Sequence, residues 1–331
     1  MKNLYITAAL LMSYLAIEAH EFGLEYTTEL QTNFKECNFV NHLRLNAEIT
    51  LSDKVSLEAS TISLAKTSEE RLLDDLQFFS NIEDENLPIS IAVLGVNWQI
   101  NDKHRLFAGI RNMNEDYFVS PVTSLFTNSS SGVYPTIGAN YPIANFPVAS
   151  VGIHYSYDNG PVNVQASLYN GVGYNEFTGR YNVFRVCPNS DGVFGLAQVE
   201  YKHKGGSYFG GASVRYGDYV FDEEKEFGSA IWAYTEQEIN NRLSLIGGYS
   251  HAFGTSLCTD FIGMGGKYSF AKCELGLFTD VAFFHGVTEW ASELTCKINL
   301  TKHVFLQPTI HAIMTGGDFG SVAMMRLGVR L

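Results

Sequence analysis

Several residues in this sequence are capable of acid–base chemistry, but their spacing matches no known enzyme. Paired carboxylates occur at Glu115 and Asp116 and again at Glu289 and Glu293, while nine histidines are scattered along the chain. The histidines lack the spacing of metal ligands. The sequence contains no H-E-x-x-H, no G-x-S-x-G and no phosphate-binding loop with its lysine. The sequence therefore predicts no catalytic residue, no metal site and no cofactor.

A second group of polar residues suggests a different chemistry, that of a hydrated channel. Charges of both signs alternate with apolar residues, and a water-filled lumen tolerates such charges where a dry core would require them to pair. Facing groups of opposite charge orient water and hydroxyl groups across a constriction. The alternative is that these charges pair with one another and only brace the structure. The candidate residues are Arg44, Glu48, Glu58, Arg105, Arg111, Arg326 and Arg330.

The elements that must position these charges are β-strands. In residues 43–51, leucine, alanine and isoleucine occupy every second position, and His42, Arg44, Asn46, Glu48 and Thr50 occupy the positions on the other face. The last thirteen residues repeat this period of two, with two arginines on one face and a largely apolar opposite face. A period of two is the signature of a strand with one apolar and one polar face.

About sixteen such segments of roughly ten residues follow one another, which is the length that crosses an outer membrane when tilted. The longest irregular stretch is 114–147, and loops this long are uncommon unless functional. We expect it to fold into the lumen and narrow it. Further long loops are predicted at 171–192 and 217–228, and the charged stretch 67–87 has the spacing of one or two helical turns.

Composition limits the remaining classes of protein. The 331 residues are 46% hydrophobic, and the formal net charge is −13, which argues against nucleic acid as a partner. No internal apolar stretch reaches the roughly 20 residues of a transmembrane helix. The five cysteines include no C-x-x-C pair, and the sequence does not indicate which of them, if any, form a disulfide.

The first nineteen residues have the pattern of a cleaved signal peptide. Lys2 provides the positive charge, an apolar run extends from Leu4 to Ile17, and Ala19 is the predicted last residue before cleavage. Residues 20–331 are then one exported domain without a linker or a low-complexity segment.

The alternation fits both a membrane barrel and a secreted β-sandwich that binds or adheres. The signal peptide, the number of strands and the aromatic residues near predicted strand ends favour an all-β transmembrane antiparallel up-and-down barrel, since tyrosine and tryptophan concentrate at membrane interfaces. These aromatic residues are Tyr26, Trp98, Tyr157, Tyr169, Tyr216 and Trp290.

Two regions of the chain resemble the carbohydrate-selective porins of the OprB type. The first reads D-L-Q-F-F-S-N-I-E at 75–83, R-N-M-N-E-D-Y-F at 111–118 and S-L-F-T-N-S-S at 124–130. The second reads E-W-A-S-E-L-T at 289–295, L-Q-P at 306–308 and R-L-G-V-R-L at 326–331. They stand in the family's order, although Cys296 replaces a usual tyrosine and the chain is shorter than typical members. The resemblance implies a sixteen-stranded outer-membrane barrel that passes sugars by diffusion.

These observations together predict an outer-membrane porin of a Gram-negative-type bacterium, with small sugars as permeants and membrane lipid around it. Phe126 and Tyr134 in the long loop are expected to stack on sugar rings. Whether three barrels associate, which sugar passes and which loops face outward remain open from the sequence. The rival functions are a barrel enzyme, such as a lipase or protease with a serine–histidine pair at one rim, and the secreted sandwich.

Overall fold

The computed structural model describes residues 20–219, 222–254 and 256–331, and the predicted signal peptide at 1–19 lies outside them. The described residues form sixteen β-strands and two short α-helices, α1 at Pro135–Gly138 and α2 at Pro188–Asp191. Three 3₁₀ turns lie at Met113–Glu115, Thr123–Leu125 and Ser129–Ser131. No helix among them is long and apolar enough to cross a membrane. The strands are β1 His20–Thr32, β2 Cys37–Ser52, β3 Val55–Lys66, β4 Leu87–Asn101, β5 His104–Arg111, β6 Ser150–Asp158, β7 Val162–Asn170, β8 Val193–His203, β9 Gly206–Tyr219, β10 Asp222–Glu238, β11 Leu243–Phe253, β12 Cys258–Ser269, β13 Cys273–Phe284, β14 Val287–Asn299, β15 Val304–Thr315 and β16 Asp318–Arg330.

Each strand pairs antiparallel with its neighbours in sequence, and β1 pairs with β16 to close the sheet. At this seam Glu29 lies opposite Arg326. Closure removes the unpaired edges that an open sheet would expose. The predicted up-and-down barrel of about sixteen strands is therefore confirmed, and the β-sandwich alternative is wrong.

The outer surface of the barrel carries a wide apolar band between two belts of aromatic side chains. Leu45, Val199 and Ile262 in the middle of their strands are about half exposed, which would be unfavourable in water but suits lipid. Aromatic rings flank this band at both ends of the strands. The exposed rings include Phe22, Trp98, Tyr201, Tyr208 and Phe270 toward one end and Phe39, Tyr216, Phe227, Phe283 and Phe319 toward the other. Tyr169 does not belong to a belt, since it points inward and is 2% exposed.

The two ends of the barrel differ in their connections. At the end that contains His20 and Leu331, the turns are only two to four residues long. The opposite end carries the long connections 67–86, 112–149 and 171–192. The loop predicted at 217–228 is wrong, because β9 and β10 continue as paired strands to Tyr219 and from Asp222. The charged stretch at 67–86 contains turns and bends but no helix.

The lumen is partly filled by loop 112–149, as expected. Its apolar side chains join inward-facing aromatic residues of β7–β13 in one large buried cluster. A smaller cluster joins Leu72 and Phe79 of loop 67–86 to Ala291, Ile313 and Val322 of the wall. The apolar core of this protein therefore lies inside the barrel, between the loops and one side of the wall.

Candidate functional site: the narrowed lumen

A cavity of about 400 Å³ remains between the two inward loops and the wall formed by β14–β16 and β1–β3. Its lining combines polar and charged side chains, with amides beside basic groups, and apolar ones such as Ile62 and Phe146. The charged side chains that line it are Glu25, Arg44, Glu115, Lys297, Arg326 and Arg330.

Loop 112–149 is anchored on the opposite wall by aromatic packing. The ring of Phe126 lies 5.2 Å from that of Phe278, and the ring of Tyr134 lies 4.7 Å from that of Phe261. Inward glycines provide the space, since a Cβ on Gly248 would overlap the hydroxyl group of Tyr134. The loop thus occupies one side of the lumen and leaves the other side open.

The same loop is held at its tip by a buried wall carboxylate. Glu293 on β14, 1% exposed, accepts hydrogen bonds from the backbone N–H groups of Thr127 (2.8 Å) and Asn128 (2.9 Å) and from the Thr127 hydroxyl group (3.0 Å). The side-chain amide of Gln307 on β15 donates to the carbonyl of Leu125 at 2.7 Å. Hydrogen bonds to a charged acceptor are roughly twice as strong as neutral ones, so the tip is firmly placed.

A second wall carboxylate binds loop 67–86 in the same way. Glu289 on β14 accepts the N–H groups of Leu76 (2.8 Å) and Gln77 (2.9 Å). Within this loop, Asp75 pairs with Arg71 at 2.5 Å and accepts the N–H of Phe79 at 2.7 Å. Burial nevertheless raises the pKa of the Asp75 carboxyl group to about 6, because loss of hydration disfavours its ionised form.

The third wall carboxylate lies at the barrel seam and connects both loops to it. Glu29 is fully buried, pairs with Arg326 and accepts the hydroxyl group of Ser80 at 2.7 Å. Arg326 also donates to the side-chain oxygen of Asn81 at 2.7 Å. The backbone N–H of Asn81 in turn donates to the carbonyl of Thr127 at 2.7 Å, so the two loops are bonded to each other as well as to the wall. Below, Glu29, Glu289 and Glu293 are called the loop-binding carboxylates.

Solved structures share this architecture over nearly the whole chain. The high-pH structure of OprB from Pseudomonas putida superposes with a TM-score of 0.80 at 16% identity, covering 97% of this chain and 96% of that chain. The chain has the porin fold. OmpT from Vibrio cholerae, as a loop-deletion mutant, gives a TM-score of 0.65 at 12% identity over 95% and 99% of the two chains. A mutant Rh. blastica porin gives 0.65 at 11% identity over 95% and 100%.

These likenesses concern the fold, since all three identities are low. No protein-family model and no curated protein sequence matches the chain. One further OmpT structure, with a TM-score of 0.63, is described as a trimer form.

The sequence blocks that resemble the OprB-type porins meet inside the barrel. Block 75–83 and block 124–130 supply the loop atoms described above, and block 289–295 supplies Glu289 and Glu293, which accept from them. Block 306–308 contributes Gln307, and block 326–331 contributes Arg326. The resemblance thus corresponds to one hydrogen-bonded network between the inward loops and the wall.

The predicted charged residues all face the lumen, and most of them are paired. Arg44 forms two hydrogen bonds of 2.9 Å with Glu115 of loop 112–149. Arg111 bridges Glu58 on β3 (2.8 Å) and Asp116 in the loop (2.7 Å). These pairs support the bracing interpretation for Arg44, Arg111 and Glu58.

The other predicted charges are more exposed. Arg330 pairs with Glu25 at 3.3 Å while its side chain remains 65% exposed, and Arg326 is bound as described above. Glu48 and Arg105 are exposed. No ion pair of either residue occurs among the described part of the chain. Glu48 and Arg105 are therefore the predicted residues whose charges are most available to a solute.

The stacking role predicted for Phe126 and Tyr134 is corrected by the structure. Phe126 is 2% and Tyr134 is 5% exposed. Their rings pack against Phe278 and Phe261 of the wall, so they anchor the loop and are too buried to stack on a sugar ring.

The cavity residues that the sequence did not predict include Lys297 on β14 and Phe305 on β15. The ammonium group of Lys297 lies 4.4 Å from the centre of the Phe305 ring. Lys297 stands on the same alternating polar face as Glu289 and Glu293, so the period of two contained the signal. The structure brings together no cluster of His, Cys, Asp or Glu that would hold a metal ion within its described ranges.

Proposed function

We propose that this chain is an outer-membrane porin through which small hydrophilic solutes, including sugars, diffuse passively. The observation that carries the proposal is a lumen narrowed by two loops that the barrel wall holds with buried carboxylates, which leaves a polar cavity of about 400 Å³. Ligand sites for small molecules have about this volume or more. The likeness in fold to OprB supports the same conclusion.

The proposal includes an orientation and a route of export. Bacterial barrels have short periplasmic turns and longer extracellular loops. The end with the long connections would face outward, and both termini would face the periplasm. Residues 1–19 would be removed on export, so N-terminal sequencing of protein from outer membranes should begin at His20.

Planar-bilayer recording of the detergent-purified protein tests the proposal. Stable open steps that added sugars block would support a sugar-permeable pore, whereas open steps that no sugar affects would indicate a general porin. A folded barrel that produces no steps would contradict the proposal. Crosslinking in detergent would test the association of three barrels, for which the trimer form of OmpT is a precedent.

One cluster of side chains has the residue types that the rival function, a barrel hydrolase, would need. Nδ1 of His154 lies 2.8 Å from the hydroxyl oxygen of Ser167, and Nε2 lies 3.6 Å from Asp116. The residue types are those of a serine–histidine–aspartate triad, but the two imidazole nitrogens are reversed, since in a triad Nε2 faces the serine and Nδ1 faces the aspartate. However, Ser167 is 7% exposed, and its hydroxyl oxygen also lies 2.9 Å from that of Tyr117.

The guanidinium group of Arg111 moreover donates one hydrogen bond to each carboxylate oxygen of Asp116. These contacts favour bracing over attack on a substrate. A fluorophosphonate probe decides between the roles: labelling that disappears in Ser167→Ala would establish a hydrolase, and unlabelled protein would exclude this nucleophile.

A further inference from the structure

The basic residues that line the cavity differ in whether a nearby carboxylate neutralises their charge. Each arginine that lines it has a carboxylate partner: Arg44 has Glu115, Arg326 has Glu29 and Arg330 has Glu25. Lys297 lines the same cavity, and no carboxylate oxygen of the described residues lies within 4.0 Å of its ammonium nitrogen. The positive charge of Lys297 is thus available to a solute in the cavity.

The carboxylate nearest in register is already engaged. Glu274 on β13 lies directly opposite Lys297 on β14. Its oxygen, however, lies 3.1 Å from the ammonium group of Lys267 on β12. Glu274 is therefore the ion-pair partner of Lys267, and Lys297 has no such partner among the described residues.

The ring of Phe305 fixes the position of that charge. The ring lies across Gly328 on β16, where a Cβ would overlap it, and the Lys297 ammonium group lies over the ring at 4.4 Å. A cation over an aromatic face is attracted by the ring quadrupole. Phe305 thereby holds the ammonium group toward the cavity without neutralising it.

Two asparagines of the cavity lining orient their side-chain amides so that the NH₂ groups are unbound within the described part of the chain. Asn114 and Asn128 use their side-chain oxygens to accept backbone N–H groups, of Phe146 (2.8 Å) and Ser130 (2.7 Å) respectively. Their NH₂ groups are then the atoms available to a solute in the cavity. The Lys297 ammonium group and these two amide groups suit the part of a solute that carries acceptor oxygens and a negative charge.

We propose that this cavity is a binding site for a polyol that carries one carboxylate, with Lys297 as the residue that selects the charged solute over its neutral analogue. This inference rests on the proposed pore function. The carboxylate lies at Lys297 and the hydroxyl groups meet the amide donors of the two asparagines.

The test compares gluconate with sorbitol, which has the same carbon chain without the carboxylate. Both are titrated into single channels of the full protein in a planar bilayer. Gluconate should block the open channel at concentrations several-fold below those of sorbitol. Lys297→Gln should weaken the gluconate block about threefold to fivefold, as expected for one exposed charge pair, and leave the sorbitol block unchanged.

Two further variants keep the result specific. Lys297→Arg preserves the charge and should retain the gluconate block. Lys302→Gln makes the same change of net charge at an exposed lysine in the turn between β14 and β15, and should behave as the parent protein.

The outcomes separate this inference from the function on which it rests. Absence of any open steps would contradict the pore itself. Open channels that gluconate and sorbitol block equally, or a gluconate block that Lys297→Gln does not change, would overturn the inference and leave the pore intact.

Discussion

Glu293 on β14 and Thr127 in loop 112–149 are joined by two hydrogen bonds, one from the backbone N–H and one from the hydroxyl group, although 166 positions separate them in sequence. This contact fixes the loop tip against the wall of the lumen. The cavity therefore takes its shape from the loop-binding carboxylates as much as from the strands.

Replacing Glu293 with glutamine should loosen the tip of loop 112–149. The amide would place a donor against the donors of Thr127 and Asn128, at a cost of about 1.5–3 kcal/mol for the charged hydrogen bonds lost. We expect noisier and larger single-channel conductance together with a lower unfolding midpoint. Glu36→Gln, the same chemical change at an exposed carboxylate in the turn between β1 and β2, is the control. Identical conductance in both variants would show that Glu293 does not restrain the loop.

Arg105 and Arg111 share the inward face of β5 but should respond differently to replacement by alanine. Arg111→Ala leaves Glu58 and the buried Asp116 without their cation, and breaking such a pair costs about 3–5 kcal/mol. Arg105→Ala removes an exposed charge and should shift the reversal potential in a salt gradient with little change in stability.

Thermal unfolding in detergent and reversal potentials measured on both variants check this pair of expectations. A destabilised Arg105→Ala protein, or an Arg111→Ala protein as stable as the parent, would reverse the roles assigned to the two arginines.

Gly247 and Gly248 are neighbours on β11 and differ in the space that is available for a side chain. Gly248→Ala would force the hydroxyl end of Tyr134 to move, and overpacking of this kind costs about 1–3 kcal/mol. Gly247 faces outward, and a Cβ there meets nothing closer than the Gly263 carbonyl at 3.9 Å. Gly247→Ala should be neutral or slightly stabilising, since alanine loses less backbone entropy on folding. Unfolding midpoints of the two variants in detergent test this, and equal values would mean that Tyr134 does not anchor the loop.

Asp75 should make stability depend on pH. Its pKa is raised to about 6 in the folded protein, against 3.8 in the unfolded chain, so folding favours the protonated form. The raised pKa contributes about 3 kcal/mol to the free energy of unfolding at low pH. This contribution is fully present below about pH 4, declines as the pH rises and is lost above about pH 6. Burial also raises the pKa of Glu83 and Asp84 in the same loop, which adds a change of the same sign.

Asp75→Asn should therefore flatten part of the decline in unfolding temperature between pH 4 and pH 7. The measurement is a series of thermal melts of both proteins in the same detergent. Parallel profiles would show that Asp75 does not titrate in this range.

The strands and their inward faces could be predicted from the sequence because the period of two is a local property. Arg44, Arg111 and Arg326 were placed on the lumen side by this pattern alone. The roles of Phe126 and Tyr134 could not be predicted in this way, since their partners Phe278 and Phe261 lie more than a hundred positions away. A loop that packs inside a barrel has a composition similar to that of an exposed loop. The two therefore cannot be distinguished from sequence unless the residues that contact the loop are known.

Strand lengths are also greater than the sequence predicts at the edge of the apolar band. The acidic run after Tyr219 indicated a loop, yet β9 and β10 continue as a paired ribbon. Charged residues mark the limit of the apolar band, and they do not mark the end of hydrogen bonding between strands. Similarly, the leucines of 67–86 pack against β15 and β16 without forming a helix.

The seam between β1 and β16 has a consequence for biogenesis. Every other strand pair joins neighbours in sequence and can form hairpin by hairpin, whereas Glu29 meets Arg326 only after the last strand has been synthesised. Until then, the carboxylate that also receives Ser80 lacks its cation, and Asn81 lacks its donor. Closure of the barrel therefore completes the attachment of loop 67–86, and a chain that stops short of its final strand leaves this loop without its arginine and the sheet without its closing pair.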